Sequence, residues 1–369
     1  MSLASCRDLQ RVKRLSLGQL AELLRMTPGK LSAWIAKGDE RFRPERLDSS
    51  TGKVRVFDVP FYSDRILFRK INKIFQSQRA HHRNAHGGVK SRSSVTSASR
   101  HISNRFIWTT DIKDCFLSIN NVFFIAEVCK LGFDKTHAEF LASLFLCRDR
   151  LPQGCPTSNV ALNMFFWHLD YRMAEFCGAR KLCYTRMADD IVISGRSEPH
   201  GENASKKLHS MIAGIGLEVN SMKWEKHGRQ SSTEYKLVHS LNVAKGRLEL
   251  SRQQLETAKL VAVKTISICR SLQLSSFAAA ITYRNQLHGW YHYARQTHDP
   301  ITRELRRAIQ TADELVRQRL IREKLSVKNW QWWIRPYCEE VRLQWEARYV
   351  QRIEVEMSQL KFDFACAGV

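Results

Sequence analysis

Between Leu17 and Gly38 the apolar residues recur at helical intervals in LGQLAELLRM and again in KLSAWIAKG, with the turn signal Thr27-Pro28-Gly29-Lys30 between them. Residues 1–50 therefore read as a small helical entry region. From Val54 to Val59, VRVFDV is β-branched and aromatic and follows the turn Ser50-Thr51-Gly52, which predicts a strand. DRILFRKINKIF returns to helical spacing through Ile66, Leu67, Ile71 and Ile74. Phe106 to Ile112 predicts a strand that ends in an acid, Asp111, and NNVFFIAEVCKLG and HAEFLASLFLC predict two helices after it. The turn Leu151-Pro152-Gln153-Gly154-Cys155-Pro156 precedes one long predicted helix, SNVALNMFFWHLDYRMAEFC. Two strands, KLCYTRM and IVISG, then flank Ala188-Asp189-Asp190 in a short hairpin. Beyond about residue 250 the pattern is helical and basic, with no internal repeat.

A chain of 369 residues, 43% hydrophobic, buries a sizeable core in two or three packed units, which excludes disordered and collagen-like classes. Lys and Arg number 59 against 36 Asp and Glu, so the net charge of +23 attracts polyanions: nucleic acid first, an anionic membrane surface second. No apolar run approaches the roughly 20 residues that span a bilayer, and MSLASCRDLQRVKR lacks the apolar core of a secretory signal. The expected compartment is the cytoplasm. Ten cysteines without a CxxC pair argue against a zinc ribbon and read as reduced core fillers.

The most basic stretch, residues 51–110, holds twelve Lys or Arg and two Asp or Glu. Within it SQRAHHRNAHGGVKSRSSVTSASRH, with its Gly pair and many Ser, predicts a loop that wraps phosphates rather than a packed element, through Arg83, Lys90, Arg92 and His101. Its other histidines, His81, His82 and His86, sit where phosphate or no ligand is commoner than zinc. Near the end, ITRELRRAIQTADELVRQRLIREK sets Arg303, Arg306, Arg307, Arg317, Arg319 and Arg322 on exposed helix faces suited to RNA phosphates. Trp330, Trp332 and Trp333 read as the core of a docked helix.

The chemistry concentrates in carboxylates. Asp111 ends a strand, and Asp189 and Asp190 share a hairpin tip; paired carboxylates at a tight turn repel one another unless a cation sits between them, which invites a divalent ion. DIKDCFLSI, which carries Phe116 five residues after Asp111, then LPQGCPTSN with Gln153 and Gly154, then YTRMADDIVIS follow one another in the order and spacing of the motifs of reverse transcriptases, which they resemble. TGKVRVFDVP resembles the fingers segment of that family, GLEVNSMKWEKHG its palm motif with Gly216, Asn220 and Lys223, and YKLVHSLNV its primer-grip hairpin. The resemblance covers about residues 20 to 290. Within the family the arrangement is most similar to the bacterial retron group, through NAHGGVKSRS, Ala98 and His101. That group's NAxxH signature stands here as Ser97-Ala98-Ser99-Arg100-His101, its VTG as Val238-His239-Ser240, and the catalytic YADD as Met187-Ala188-Asp189-Asp190.

The resemblance implies an α+β right-hand polymerase fold with fingers, an RRM-like antiparallel palm sheet backed by helices, and a helical thumb. Residues 1–50 would be the helical part of the fingers, 51–110 the basic fingers segment, 111–250 the palm with interleaved fingers helices, and 251–325 the thumb; 326–369 have no assigned role. It implies two Mg²⁺ ions on Asp111, Asp189, Asp190 and the carbonyl of Ile112, with Lys223 protonating the leaving group. Lys53 and Arg55 would hold the triphosphate, Phe116 would exclude a 2′-hydroxyl, and Gln153 and Gly154 would lie under the nucleotide. The implied partners are dNTPs, a cognate structured noncoding RNA as template-primer with its multicopy single-stranded DNA product, a separate antiphage effector protein and a host RNase H, with no membrane. Two alternatives stay open: another defence-associated or group II intron-like reverse transcriptase with a different template, and a noncatalytic RNA-binding protein on a polymerase-like palm.

Overall fold

Ser16 accepts the Gln19 amide at 3.2 Å while the Gln19 side chain accepts the Ser16 amide at 3.0 Å, so a capping box starts helix α1 (Leu17–Leu24). Thr27 caps α2 (Pro28–Ala36), whose first residue is Pro28, so the predicted turn signal is the start of the second helix. The computed structural model describes residues 15–48, 54–78, 80–102, 104–196, 201–220, 225–227, 237–243, 246–271 and 277–322. Helix α3 (Tyr62–Ser77) buries Asp64, Phe68, Ile71 and Phe75 and leaves Ile66 exposed, because the phenylalanines offer more apolar area to the core than the predicted isoleucine stripe. Phe68 packs edge-on against Trp34 with centroids 5.0 Å apart. The indole of Trp34 donates to Asp64 at 2.6 Å, which satisfies that buried carboxylate. Arg41 is fully buried beneath Trp34, 4.7 Å from the ring centroid, and donates to the Ser143 carbonyl at 2.9 Å.

Strands β1 (Phe42–Asp48) and β2 (Val54–Pro60) form a two-stranded sheet. FRPERLD carries too few apolar residues to announce β1 in the sequence. Buried Asp58 fixes β2, accepting from Arg148 and, at 3.0 Å, from the Arg150 Nε.

A four-stranded antiparallel sheet has the order β4 (Cys183–Met187), β5 (Asp190–Gly195), β3 (Phe106–Asp111), β6 (Glu225–His227). Because strand residues alternate faces, Trp108, Tyr184, Arg186, Ile191 and Ile193 share one face, and Ile107, Asp111, Thr185, Asp190, Val192 and Ser194 share the other. The first face packs into a core with α6 (Asn121–Lys130), α7 (Lys135–Phe145), α8 (Ser158–Phe165), α9 (Trp167–Gly178) and α10 (Gly201–Ala213). Its fully buried phenylalanines each contribute about 1.5–3 kcal/mol. The single long helix predicted over 158–177 is two helices, divided at Phe166, where Phe165 and Phe166 meet edge-on at 5.2 Å.

The basic stretch is packed against the sheet, residues 84–86 along the edge of β4 and Ser97 and His101 on the second face, which corrects the expectation that it is not a packed element. Ala80, His82, Ala85, His86, Val89, Val95, Ser97, Ala98 and His101 are buried, and α4 (Ser94–Ala98) begins with a capping box at Ser93. Ser97 and His101 bond the strand side chains Thr185 and Ser194. The side chains in this segment are polar, but the backbone runs against the sheet, so hydropathy alone misread it. Strands β7 (Leu237–Val238), β8 (Leu241–Asn242) and β9 (Glu249–Leu250) form a small sheet of their own.

Chain contacts divide the protein into two units, the first made of residues 1–47, 54–251 and 296–299 and the second of the rest. In the second, α11 (Arg252–Arg270), α12 (Phe277–Gln296) and α13 (Ile301–Arg322) enclose Cys269, Ala280, Ala312 and Val316. Arg284 on α12 pairs with Asp313 on α13 at 2.5 Å. Arg306 and Arg307 are exposed on α13. Among the described residues no helix is long and apolar enough to cross a membrane. Trp330, Trp332 and Trp333 lie outside the described residues.

Candidate active site

Asp111 and Asp190 face each other across the β3–β5 pair. The next pair is bonded, Ile112 N–H donating to the Asp189 carbonyl at 3.3 Å. Alternation therefore makes Asp111–Asp190 a non-hydrogen-bonded pair, with Cα atoms about 4.5 Å apart and side chains on one face. Like charges directly opposite one another are destabilising in a sheet, and Asp189 sits one residue away in the same turn. Asp111 and Asp189 are half-buried and Asp190 is exposed. The sheet continues past Asp111: the Asn220 amide donates to the Asp111 carbonyl and the Lys113 amide to the Glu218 carbonyl, both at 2.9 Å. Gly216, at φ 79°, makes room for Phe123, whose ring a Cβ would meet at 2.5 Å.

What holds the acidic turn is a buried ionic network that sequence reasoning missed. Arg186, fully buried on β4, donates to both oxygens of Asp170 on α9 at 2.8 and 2.6 Å, to Asn163 at 3.0 Å, and to the Ala188 carbonyl at 2.7 Å. Tyr184 donates to Asp170 at 2.6 Å. Burial alone lowers the pKa of Arg186, and the charge and hydrogen bonds of Asp170 more than reverse it, so the guanidinium stays charged. Its bond to Ala188, at φ 56°, fixes the backbone immediately before Asp189. The signal was present in YTRM: an arginine on a strand otherwise buried, with an aspartate inside an apolar helix to meet it.

Gly87 abuts the same turn. Its carbonyl accepts from Asn163 at 2.9 Å, and a Cβ built on it would fall inside the Ala188 amide nitrogen. Gly87→Ala should therefore displace the turn and destabilise the fold by about 1–3 kcal/mol, the usual cost of overpacking. Chemical denaturation checks this, and an unchanged midpoint would show that the turn has slack.

Phe116 is half-buried on α5 (Cys115–Ser118), and its carbonyl accepts the Leu151 amide at 3.0 Å, which ties the Gln153–Gly154 turn to the segment after Asp111. Gly154 is exposed at φ 93°, and a Cβ there would meet Val59 of β2 at 3.5 Å. The Gln153 turn thus lies beside the strand that carries Arg55. Lys53 and Lys223 lie outside the described residues.

The cations and histidines of the basic stretch divide. Arg83 and Lys90 are exposed. Arg92 instead clamps the loop, its Nη1 donating to the carbonyls of His82, Arg83 and Ala85 at 3.1, 2.9 and 2.5 Å. His101 is fully buried, with Nδ1 2.6 Å from Ser194 Oγ and Nε2 2.7 Å from Thr185 Oγ1, which corrects its expected role as a nucleic-acid contact. Burial, reinforced by His239, pushes His101 down to about 3; burial and Arg92 push His86 down to about 4. Both rings are therefore neutral at neutral pH.

Among the described residues no three His, Cys, Asp or Glu side chains are gathered as a ready-made metal site. The residues expected to hold the ions, Asp111, Asp189, Asp190 and the Ile112 carbonyl, offer only hard oxygens, the donor chemistry that suits a divalent cation such as Mg²⁺.

Residues 36–238, more than half of the chain, match the family model described as reverse transcriptase (RNA-dependent DNA polymerase). A stretch of 170 residues is 32% identical to the retron Ec86 reverse transcriptase of Escherichia coli and covers 46% of this chain and 52% of that protein. Another, of 191 residues, is 28% identical to the retron Mx65 reverse transcriptase of Myxococcus xanthus and covers 47% and 45%. The chain thus spans about half the length of these curated relatives. Similar solved structures include apo telomerase from Candida tropicalis, with a TM-score of 0.46 and 11% identity over 79% of this chain and 59% of that one.

Proposed function

The chain belongs to the reverse transcriptase (RNA-dependent DNA polymerase) family, and from that premise we propose that it is a retron-type polymerase that copies a cognate structured RNA into single-stranded DNA. Family membership carries a polymerase-like fold of mixed helix and sheet. The observation that supports the activity is the cross-strand pair Asp111–Asp190 with Asp189 beside it, which brings carboxylates from two strands to one turn as hard donors for divalent cations.

In this reading the four-stranded sheet is the palm, β2 and the helices before it belong to the fingers, and α11–α13 form the thumb. A primer hydroxyl, giving up its proton to solvent, attacks the α-phosphate of a dNTP, and the new P–O bond forms as the bond to pyrophosphate breaks. Two Mg²⁺ ions, when bound, neutralise charge on the attacking and leaving oxygens; Asp111, Asp189, Asp190 and the Ile112 carbonyl would hold them. Lys53 and Arg55 steady the triphosphate, Lys223 supplies the proton to pyrophosphate, and Gln153 and Gly154 lie beneath the nucleotide. Exposed Arg83, Lys90, Arg306 and Arg307 meet RNA phosphates. Seven described cysteines are free thiols, as suits a bacterial cytoplasm. The product would stay joined to its RNA, with a host RNase H trimming the template and a separate effector reading the product in antiphage defence.

Phe116, half-buried beside the Gln153 turn, is the sugar gate. Phe116→Ala should raise ribonucleotide relative to deoxyribonucleotide incorporation by about 10- to 100-fold, the range that one filled or emptied subpocket supplies. Single-nucleotide extension with matched rNTP and dNTP measures it, and unchanged selectivity removes Phe116 from the gate.

The decisive experiment is to purify the protein from its native host, sequence the nucleic acid that comes with it, and extend it with dNTPs and Mg²⁺. A short branched RNA–DNA species is expected. Long repetitive cDNA would point to a different template, and bound RNA without any incorporation would leave a noncatalytic binder.

A further inference from the structure

The turn between β7 and β8 is strained. Val238 pairs with Leu241, and the two residues between them, His239 and Ser240, both adopt left-handed backbone at φ 49° and 65°. Asn-Gly fits such a two-residue turn without strain; an imidazole and a hydroxymethyl do not. Strain of this kind persists where the surroundings over-determine it. Here the surroundings are two contacts of one ring. The His239 side chain is 6% exposed, its Nδ1 lies 3.8 Å from Asp190 Oδ2, and its Nε2 lies 2.9 Å from Ser97 Oγ.

Ser97 also lies 2.8 Å from Thr185 Oγ1, Thr185 lies 2.7 Å from His101 Nε2, and His101 Nδ1 lies 2.6 Å from Ser194 Oγ, which Asn104 Nδ2 approaches at 2.7 Å. Six side chains thus form one continuous line under the sheet, ending at the carboxylate. Each hydroxyl, and the neutral His101 ring, has one hydrogen to donate, so the ends decide the direction. Asn104 presents an amide N–H at one end and Asp190 an acceptor at the other. The consistent assignment runs from Asn104 to Ser194, to His101 Nδ1, from His101 Nε2–H to Thr185, to Ser97, to His239 Nε2, which leaves His239 Nδ1–H facing Asp190. The reverse direction would set a nitrogen lone pair against a carboxylate.

We propose that His239 is a positioning residue for Asp190: a strained turn holds its Nδ1–H toward one carboxylate oxygen, and so orients the other toward the polymerising centre. This deepens the polymerase reading and rests on it. Ser97 and His239, two of the four positions at which this chain departs from the NAxxH, VTG and YADD signatures, meet at this contact.

Two measurements test it. Long-range ¹⁵N NMR on histidine-labelled full-length protein, with His239 assigned by loss of its signal in His239→Gly, should show the Nδ1–H tautomer; the Nε2–H tautomer would overturn the proposal. In steady-state incorporation on an oligo(dT)-primed poly(rA) template, His239→Gly, which keeps the left-handed turn, should lower kcat about 10- to 100-fold with KM for dTTP and template within about threefold, the scale of lost support to a metal-ligating carboxylate. His239→Asn, which tolerates the turn and keeps an N–H near the ring position, should recover kcat to within about fivefold. An unchanged kcat in His239→Gly, or a loss confined to KM for the template, would overturn it. Failure of the wild-type protein to incorporate dTTP would instead remove the polymerase reading, and the tautomer would then decide the hydrogen-bond line alone.

Discussion

Asp189→Asn is expected to reduce nucleotide incorporation by about 10³-fold or more, the scale set by losing one group aimed at the charge of the reacting centre, while RNA retention and thermal stability stay unchanged. The geometry separates these outcomes. The bond that joins Asp189 to the sheet uses its main-chain carbonyl, which accepts from Ile112, and the turn before it is held through the Ala188 carbonyl by Arg186. Neither involves the carboxylate, and asparagine has nearly the same volume. Removing one negative charge beside Asp111 and Asp190 relieves repulsion, so the melting temperature should hold or rise slightly. Primer extension, filter binding of the copurified RNA and a thermal melt on the same preparation measure the three quantities. If RNA binding and melting temperature fall together with incorporation, the acids are structural and the cation-handling site is lost.

Arg186→Met is expected to destabilise the protein by about 3–5 kcal/mol, because it strands Asp170 as a buried, uncompensated charge. Both side chains are 0% exposed, so water cannot take over from the guanidinium. The loss extends beyond the pair: Asn163 and the Ala188 carbonyl each lose a donor, and the turn carrying Asp189 loosens. Chemical denaturation of the single mutant should show a lower midpoint with an unchanged slope. Adding Asp170→Leu should recover a large part of the stability, since a buried ion pair replaced as a pair by apolar residues is often neutral, but not the incorporation rate, which depends on the Ala188 bond. Recovery of both would mean that the turn holds itself.

The contrast between these two sites shows what the sequence could reveal. The placement of Asp111 opposite Asp190 and beside Asp189 was legible because the strands around them alternate and because the motifs that carry them follow the order and spacing of a known family. Arg186, Asp170 and Asn163 were not, because their meaning lies in a meeting between a strand and a helix that no local spacing encodes. The 80–101 segment was misread for a related reason. Its residues are polar, yet Ser97 and His101 are buried by bonding Thr185 and Ser194, so hydropathy reported a surface where hydrogen bonding had made an interior. Strand β1 escaped notice through its proline and charges, and the break between α8 and α9 because both phenylalanines at the junction are apolar in either arrangement.

The run of backbone beside β4 has a further effect. In the four-stranded sheet β4 is terminal, and a terminal strand offers unpaired amides and carbonyls to any passing chain. Here the Asn84 carbonyl takes the Arg186 amide at 2.9 Å and the His86 amide bonds the Arg186 carbonyl at 2.7 Å. The margin is thereby closed by the protein's own chain at Arg186, the residue that anchors the Asp189 turn. A strand from another molecule of this protein consequently cannot pair at Arg186, and a variant that peeled residues 84–86 away would gain a propensity to self-associate.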